Sequence, residues 1–330
     1  MGKSTVIQSL LLLKQSIRQG YIPNNILLNG EFVNIGVGED LLNGMTSDEH
    51  ICIALVENDK VHNANMNYSG KNDVMKLSDY DNRITEMLNV PFEYLNAERS
   101  SPQSIYPKSS YNIESDSQLG IHGQYAVHYM AKHQDDTVSF CSQKEKSDTT
   151  LKFEVQKWLN EISPNVKFEA KELDKTDLAQ LGYYYNDKLK SNTYRPTNVG
   201  FGISYVLPVI IALVKAKPNS IVIIENPEAH LHPQGQRKIG ELLCKCAAKN
   251  VQVFVETHSD HILNGIRIAV KQGVISPDMA NLLFFNKRSS GDSIIHDVEN
   301  PQINQNGKLD YWPEGFFDEW DKALDQLIGG

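Results

Sequence analysis

The stretch Ile221, Val222, Ile223, Ile224, Glu225, Asn226, Pro227, Glu228, Ala229, His230, Leu231, His232, Pro233 decides how this chain is read. An unbroken run of branched apolar residues without polar alternation predicts a strand covered on both faces, the habit of parallel sheets flanked by helices. Glu225 then stands at the carboxyl end of that strand, where open α/β sheets bind ligands, and an acid placed there can hold a metal and its phosphate ligand. Val251 to Val255 repeats the pattern and leads into Glu256, Thr257, His258, Ser259, Asp260 and His261. Between the two strands, Ile239, Leu242 and Leu243 have helical spacing, so the segment predicts a strand, helix, strand unit whose polar ends emerge on one sheet edge.

Gly2, Lys3, Ser4 and Thr5, followed by Val6, Ile7 and Leu10 to Leu13, have the pattern of a phosphate-binding loop running into its helix. In such a loop, backbone N–H groups and the helix N-terminus cradle phosphates, the Lys reaches the terminal phosphates, and the hydroxyl ligates magnesium. The strand and first glycine that open a complete loop do not precede Gly2 in the sequence, which leaves a fragment, a mis-started product or weak nucleotide binding as expectations. Taken alone, the same residues also suit a capped amphipathic helix.

A further segment, Asn198, Val199, Gly200, Phe201, Gly202, Ile203, Ser204, Tyr205, Val206, Leu207, Pro208, resembles the signature motif of ABC-type ATPase heads. Its simpler reading is a glycine turn capping the apolar helix Ile203 to Val214, and the two are compatible. Together with the ENPEAHLHP and VETHSDHILNGIR strings and the terminal WPEGFFDEWDKAL, it makes the chain similar to a bacterial family of predicted ATPases. Members carry an ABC-like AAA head of the SMC and OLD kind and a C-terminal domain of unknown function. The resemblance implies a P-loop NTPase α/β fold: an ABC-ATPase-like head with a mostly parallel central sheet, an added antiparallel β region and a compact inserted helical lobe. It implies ATP and Mg2+ as cofactors, with Gly2, Lys3, Ser4 and Thr5 at the phosphates, Ser4 and Glu225 on the metal, and His258 sensing the terminal phosphate. Gly200, Gly202 and Ser204 would touch the nucleotide of an opposing subunit. Where such heads place a catalytic glutamate, this chain has Asn226; an amide orients a water but cannot take its proton, so Glu228 is the nearest candidate base.

The implied function is an ATP-binding, slowly hydrolysing head that works as a dimerisation switch, as a homodimer or higher homo-oligomer, on a separate effector protein in bacterial anti-phage defence. The alternatives are a non-hydrolysing nucleotide sensor or scaffold, and the ATPase part of an OLD-type nuclease system, for which a further acidic Toprim domain is required and not found before residue 330. A transition-metal site built from Glu228, His230, His232, His258, Asp260 and His261 ranks behind these, since no closed tetrahedral spacing is evident.

The expected organisation is residues 1–57 as the first part of the head, 58–190 as an inserted lobe with linking strands, 191–290 as the second part of the head, and 291–330 as a small C-terminal segment. A net charge of −9 argues against a strongly basic nucleic-acid groove, though not against a local patch. Cys52, Cys141, Cys244 and Cys246 have no disulfide or zinc spacing and read as buried, reduced thiols of a cytoplasmic protein. The apolar run Val206 to Val214 is too short for a bilayer, so no membrane partner is expected.

Smaller expectations complete the chain. Short strands or a hairpin are expected over Tyr21 to Val37, a strand over Ile51 to Glu57, a mixed polar insertion over Asn58 to Asn89, and a strand at Phe92 to Leu95. Gln103 to Gly120 reads as a long loop. Gln124 to Lys132 and Leu151 to Ile162 read as helices, the latter with Phe153, Val155, Trp158 and Leu159 as its apolar face. Val166 to Glu172 reads as a strand, and Tyr183 to Tyr185 as a strand alternating between core and solvent and not a base-stacking platform. Leu282 to Asn286 is expected as a last sheet strand, Asp292 to Val298 as a hairpin strand, and Trp312, Phe316, Phe317 and Trp320 at helical spacing. Arg99, just past a strand end, faces phosphate or forms a structural ion pair, and both remain open.

Overall fold

The computed structural model describes residues 2–41, 50–138, 149–185, 193–290 and 293–328; Cys141 lies outside them. The chain divides into two compact units, Met1–Val90 and Pro91–Gly330.

In the first unit, helix α1 (Lys3–Arg18) is followed by β1 (Asn25–Leu27), a short α2 (Gly38–Leu41), β2 (His50–Glu57), β3 (Lys60–Asn67), β4 (Val74–Tyr80) and α3 (Arg83–Leu88). Leu10 to Leu13 of α1 are buried, and the next turn places polar side chains inside where each has a backbone partner. Gln15 Nε2 donates to Leu27 O at 2.8 Å, its Oε1 accepts from Val33 N at 3.1 Å, and Ser16 Oγ accepts from Leu27 N at 2.9 Å. Lys14 Nζ donates to Leu88 O at 2.7 Å. Buried polar groups persist only when satisfied in this way.

The strands form an antiparallel sheet in the order β1-β4-β3-β2. The stretch expected as a mixed polar insertion therefore contributes two strands, β3 and β4, to this sheet and ends in α3. Its signal was the pair Asn58 and Asp59, both at positive φ (49° and 62°), which closes the β2–β3 hairpin in the two-residue turn whose twist suits paired strands. Alternation then buries Ala64 and Met66 while the intervening asparagines face outward. Cys52, expected inside, is exposed on β2.

The second unit opens with β5 (Phe92–Leu95), β6 (Ile105–Pro107) and a π-helical turn at Tyr111–Ser115, so the expected loop 103–120 carries structure of its own. There follow α4 (Ala126–His133), the two-residue strands β7 (Thr137–Val138) and β8 (Thr149–Thr150), α5 (Leu151–Ile162), β9 (Val166–Glu172) and β10 (Leu178–Tyr185). Next come α6 (Phe201–Lys215), β11 (Ile221–Glu225), α7 (Pro233–Ala247), β12 (Gln252–Glu256), α8 (Asp260–Lys271), β13 (Phe284–Ser290), β14 (Ser293–Glu299) and α9 (Glu319–Ile328). No helix among the described residues is long and apolar enough to cross a membrane.

The parallel sheet has the order β12-β11-β5, with β6-β10-β9 forming a separate antiparallel sheet. Helix α6 is buried without interruption from Gly202 to Val214, as expected of a helix that is apolar all round. Tyr183 is fully buried, Tyr184 partly buried and Tyr185 exposed; since Tyr183 and Tyr185 share a face of β10, burial here fades toward the strand end and does not follow the expected alternation. In α5 the buried face is Leu151, Val155, Trp158 and Leu159. Phe153 is exposed, because residue 153 lies well off the i, i+4, i+7, i+8 stripe those four define.

Two expectations near the C-terminus are corrected. β13 does not extend the parallel sheet; it pairs antiparallel with β14 from Phe284↔Glu299 to Ser290↔Ser293. The aromatic segment is not one helix: Gly315 and Phe317 have φ of 80° and 55°, and α9 starts only at Glu319. The Pro313, Glu314, Gly315 turn breaks the pattern, and Phe316 packs on Phe284, Trp312 and Phe317.

Candidate nucleotide site at the strand ends

β11 and β12 run parallel with Glu225 paired to Glu256 at their carboxyl ends. The Glu225 carboxylate is held from two sides: Oε1 accepts from Tyr94 Oη at 2.9 Å and Oε2 from Ala97 N at 3.2 Å. Tyr94 belongs to β5, the neighbour of β11 on its other side. Burial, and then the charge of Glu225, raise the Tyr94 phenol above its ordinary value, so it stays protonated and donates. A carboxylate fixed in this way at a strand end retains lone pairs for a hard cation. Mg2+ characteristically takes one or two carboxylates and completes its shell with phosphate and water, which this donor set suits.

Asn226 turns the chain with φ of 44°, and its N–H donates to Glu256 O at 2.8 Å. Asparagine tolerates this left-handed conformation better than most residues. Two residues on, Glu228 Oε1 accepts from the backbone N–H of His258 at 2.8 Å, so the loops following the two strands are joined. Glu228 Oε2 is buried with no hydrogen-bond partner among the described residues. His258 is itself exposed. Ser259 caps α8 by accepting from His261 N and Ile262 N, and its Oγ donates to Gln236 of α7 at 2.6 Å. That cap was legible as a Ser ahead of an apolar-periodic run. Gly240 and Gly265 let α7 and α8 cross closely: a Cβ at either would sit 2.3 Å or 2.2 Å from a backbone oxygen of the other helix.

The signature-like segment divides in two. Gly200 is the exposed N-cap of α6. Gly202 is buried, and a Cβ there would lie 2.3 Å from the carbonyl of His230, so close packing inside the subunit already requires a glycine. Ser204, expected to face another subunit, points inward at 5% exposure beside Tyr183. Arg99, left open between a phosphate contact and an ion pair, is buried and serves main-chain acceptors. Its guanidinium donates to Asn96 O at 3.0 Å, to Glu225 O at 2.8 Å and to Asn226 O. Lys3, Ser4 and Thr5 form the first turn of α1, with Gly2 as its N-cap at φ of 118°. Among the described residues no group of three or more His, Cys, Asp or Glu is arranged to hold a metal.

A parallel sheet with acids at its strand ends, joined by a helical crossover, is an α/β arrangement, and the family match makes it the fold of a P-loop NTPase. The chain belongs to the family described as "AAA domain, putative AbiEii toxin, Type IV TA system", which matches residues 81–264, and residues 275–327 match a "Protein of unknown function (DUF3696)". It is thus an ATPase of the general kind, in a class that uses ATP with a divalent metal, generally Mg2+. No curated protein matches the chain. Among solved structures it is similar to one described under "Structural biochemistry of ATP-driven dimerization and DNA stimulated activation of SMC ATPases", at 12% identity and a TM-score of 0.34, over 54% of this chain and 90% of that one. It is equally similar to an Smc head domain from Pyrococcus furiosus bound to the C-terminal domain of ScpA, at 12% identity and a TM-score of 0.34, over 54% of this chain and 37% of that one. At these values the likenesses add nothing to the family assignment.

Proposed function

We propose that the chain is a nucleotide-operated head: ATP and Mg2+ bind at the strand ends, two copies associate around the nucleotide, and hydrolysis releases them, a cycle read by a separate effector protein in anti-phage defence. The observation that carries this reading is the joined pair of strand ends, in which Glu225 is oriented by Tyr94 and Ala97 and Glu228 is tied to the His258 backbone. One loop thus presents the metal-side acid and the other the proposed phosphate sensor, and each registers the other's position. In this reading Glu225 supplies the metal-side carboxylate, and Gly200, the exposed N-cap of α6, the backbone that faces the opposing nucleotide. Ser204 contributes to the packing of α6.

A nucleotide sensor without turnover is the second reading, favoured by Asn226 at the usual base position and by the bond that occupies one oxygen of Glu228. The test is Gly200→Arg, at an exposed cap whose φ of −54° and open surroundings accept any side chain. ATP-dependent dimerisation followed by light scattering should vanish with the melting temperature unchanged. Dimerisation identical to the parent's would refute the switch. ATP turnover of the parent, or its absence, separates the two readings.

A further inference from the structure

Arg99 is 5% exposed, and burial pulls its pKa below the ordinary arginine value. An interior guanidinium is costly unless its geometry is used. Here it is: the carbonyls of Glu225 and Asn226 converge on one guanidinium, with Asn96 O as a third acceptor. A planar fork meets several acceptors at once, which the single ammonium of a lysine does not. The carbonyls belong to the peptide groups that follow the metal-side acid and its left-handed neighbour, where the chain makes its last bond to β12, from Asn226 N to Glu256 O, and turns out of the sheet.

The same side chain reaches α6. The guanidinium carbon lies 4.8 Å from the centre of the Tyr205 ring. The Tyr205 hydroxyl donates to Ala97 O at 2.9 Å and accepts from Arg99 N at 3.0 Å. The ring also meets His230 edge-on at 4.9 Å and Phe201 at 5.6 Å. Arg99 therefore stands between the first turn of α6 and the Glu225–Asn226 turn.

We infer that Arg99 is a positioning residue for ATP hydrolysis, clamping the Glu225–Asn226 turn and tying it, through Tyr205, to the N-terminal turn of α6. The inference rests on the ATPase reading of the strand ends. It assigns Arg99 no contact with phosphate, and it makes the orientation of the site depend on the helix turn proposed to meet a second copy.

The experiment compares Arg99→Ala and Arg99→Lys with the parent in two arms. In nucleotide-free protein, amide exchange at Asn226 and across residues 225–232 should accelerate in both variants while the interiors of β11 and β12 stay protected. In ATP turnover, kcat should fall roughly 10²-fold with KM for ATP nearly unchanged, the signature of lost geometry. Added guanidinium should restore part of kcat to the alanine variant, while lysine should not substitute. Unchanged exchange over 225–232, or a loss confined to ATP affinity with kcat intact, would overturn the clamp, the latter because it would place Arg99 on the nucleotide. Should the parent bind no ATP, the site reading fails and the exchange arm still judges the clamp.

Discussion

Glu228→Gln separates two roles that the structure permits for one carboxylate. As an anchor, Glu228 offers Oε1 to the His258 N–H at 2.8 Å, and a glutamine oxygen keeps that bond. The new amide nitrogen would occupy the place of Oε2, a buried atom without a partner, and leaving that donor unsatisfied costs about 1–3 kcal/mol of stability. As a general base, the carboxylate takes the proton of the attacking water, and its loss should cut turnover by about 10²–10⁴-fold. The expected outcome is the large kinetic effect with ATP binding retained, measured by single-turnover hydrolysis, and a modest drop in melting temperature. Asn226→Glu is the complement: it should raise turnover, and, since Asn226 has φ of 44°, it should also destabilise the fold, by about 1–2 kcal/mol. A Glu228→Gln protein that hydrolyses ATP at the parent rate would refute the base assignment and leave Glu228 as the tie between the loops.

Two further predictions concern the frame around the site. Lys215 Nζ lies 2.6 Å from Glu93 Oε2 in the interior, joining the end of α6 to β5, and burial pushes the Glu93 carboxyl up against the opposing pull of Lys215. Lys215→Met should cost about 3–5 kcal/mol in urea unfolding, because it strands a buried acid. Adding Glu93→Gln, which keeps an acceptor for Leu119 N, should recover most of the loss; a single-variant cost below about 1 kcal/mol would show that the pair is dispensable. His128 is buried with Nδ1 accepting from Ser109 N at 3.1 Å, so Nε2 carries the proton toward Glu172 Oε1 at 2.7 Å. Burial, only partly offset by Glu172, lowers its pKa from 6.5. The unfolded chain therefore takes up protons first on acidification, and stability should fall as pH drops below about 6.5 and level off beneath the folded value. His128→Gln should flatten that decline in urea midpoints between about pH 7.5 and 5.5, and an unaltered slope would place its cause elsewhere.

What was legible in this chain and what was not follow from one physical distinction. A parallel strand buried on both faces has to be an apolar run, so β11 announced itself; β12, an end strand of the described sheet and only half-buried, was legible from its apolar residues Val253 to Val255, and with the two strands came the positions of Glu225, Glu256 and His258 at their ends. The direction of a side chain on a helix is read from its polar stripe, and α6 has none: residues 202–214 are all buried. Nothing in the pattern could therefore show that Ser204 points inward, or that the glycine at 202 answers to the His230 carbonyl in its own subunit. Arg99 was opaque for a related reason. A side chain that serves main-chain carbonyls has no complementary residue type to betray it, because every residue carries a carbonyl; only the geometry of the Asn226 turn, with its positive φ, exposes two of them to one guanidinium. The sequence pattern thus locates the acids and leaves hidden what aims them, so in this reading the orientation of the strand-end site depends on Arg99, which no nucleotide motif contains.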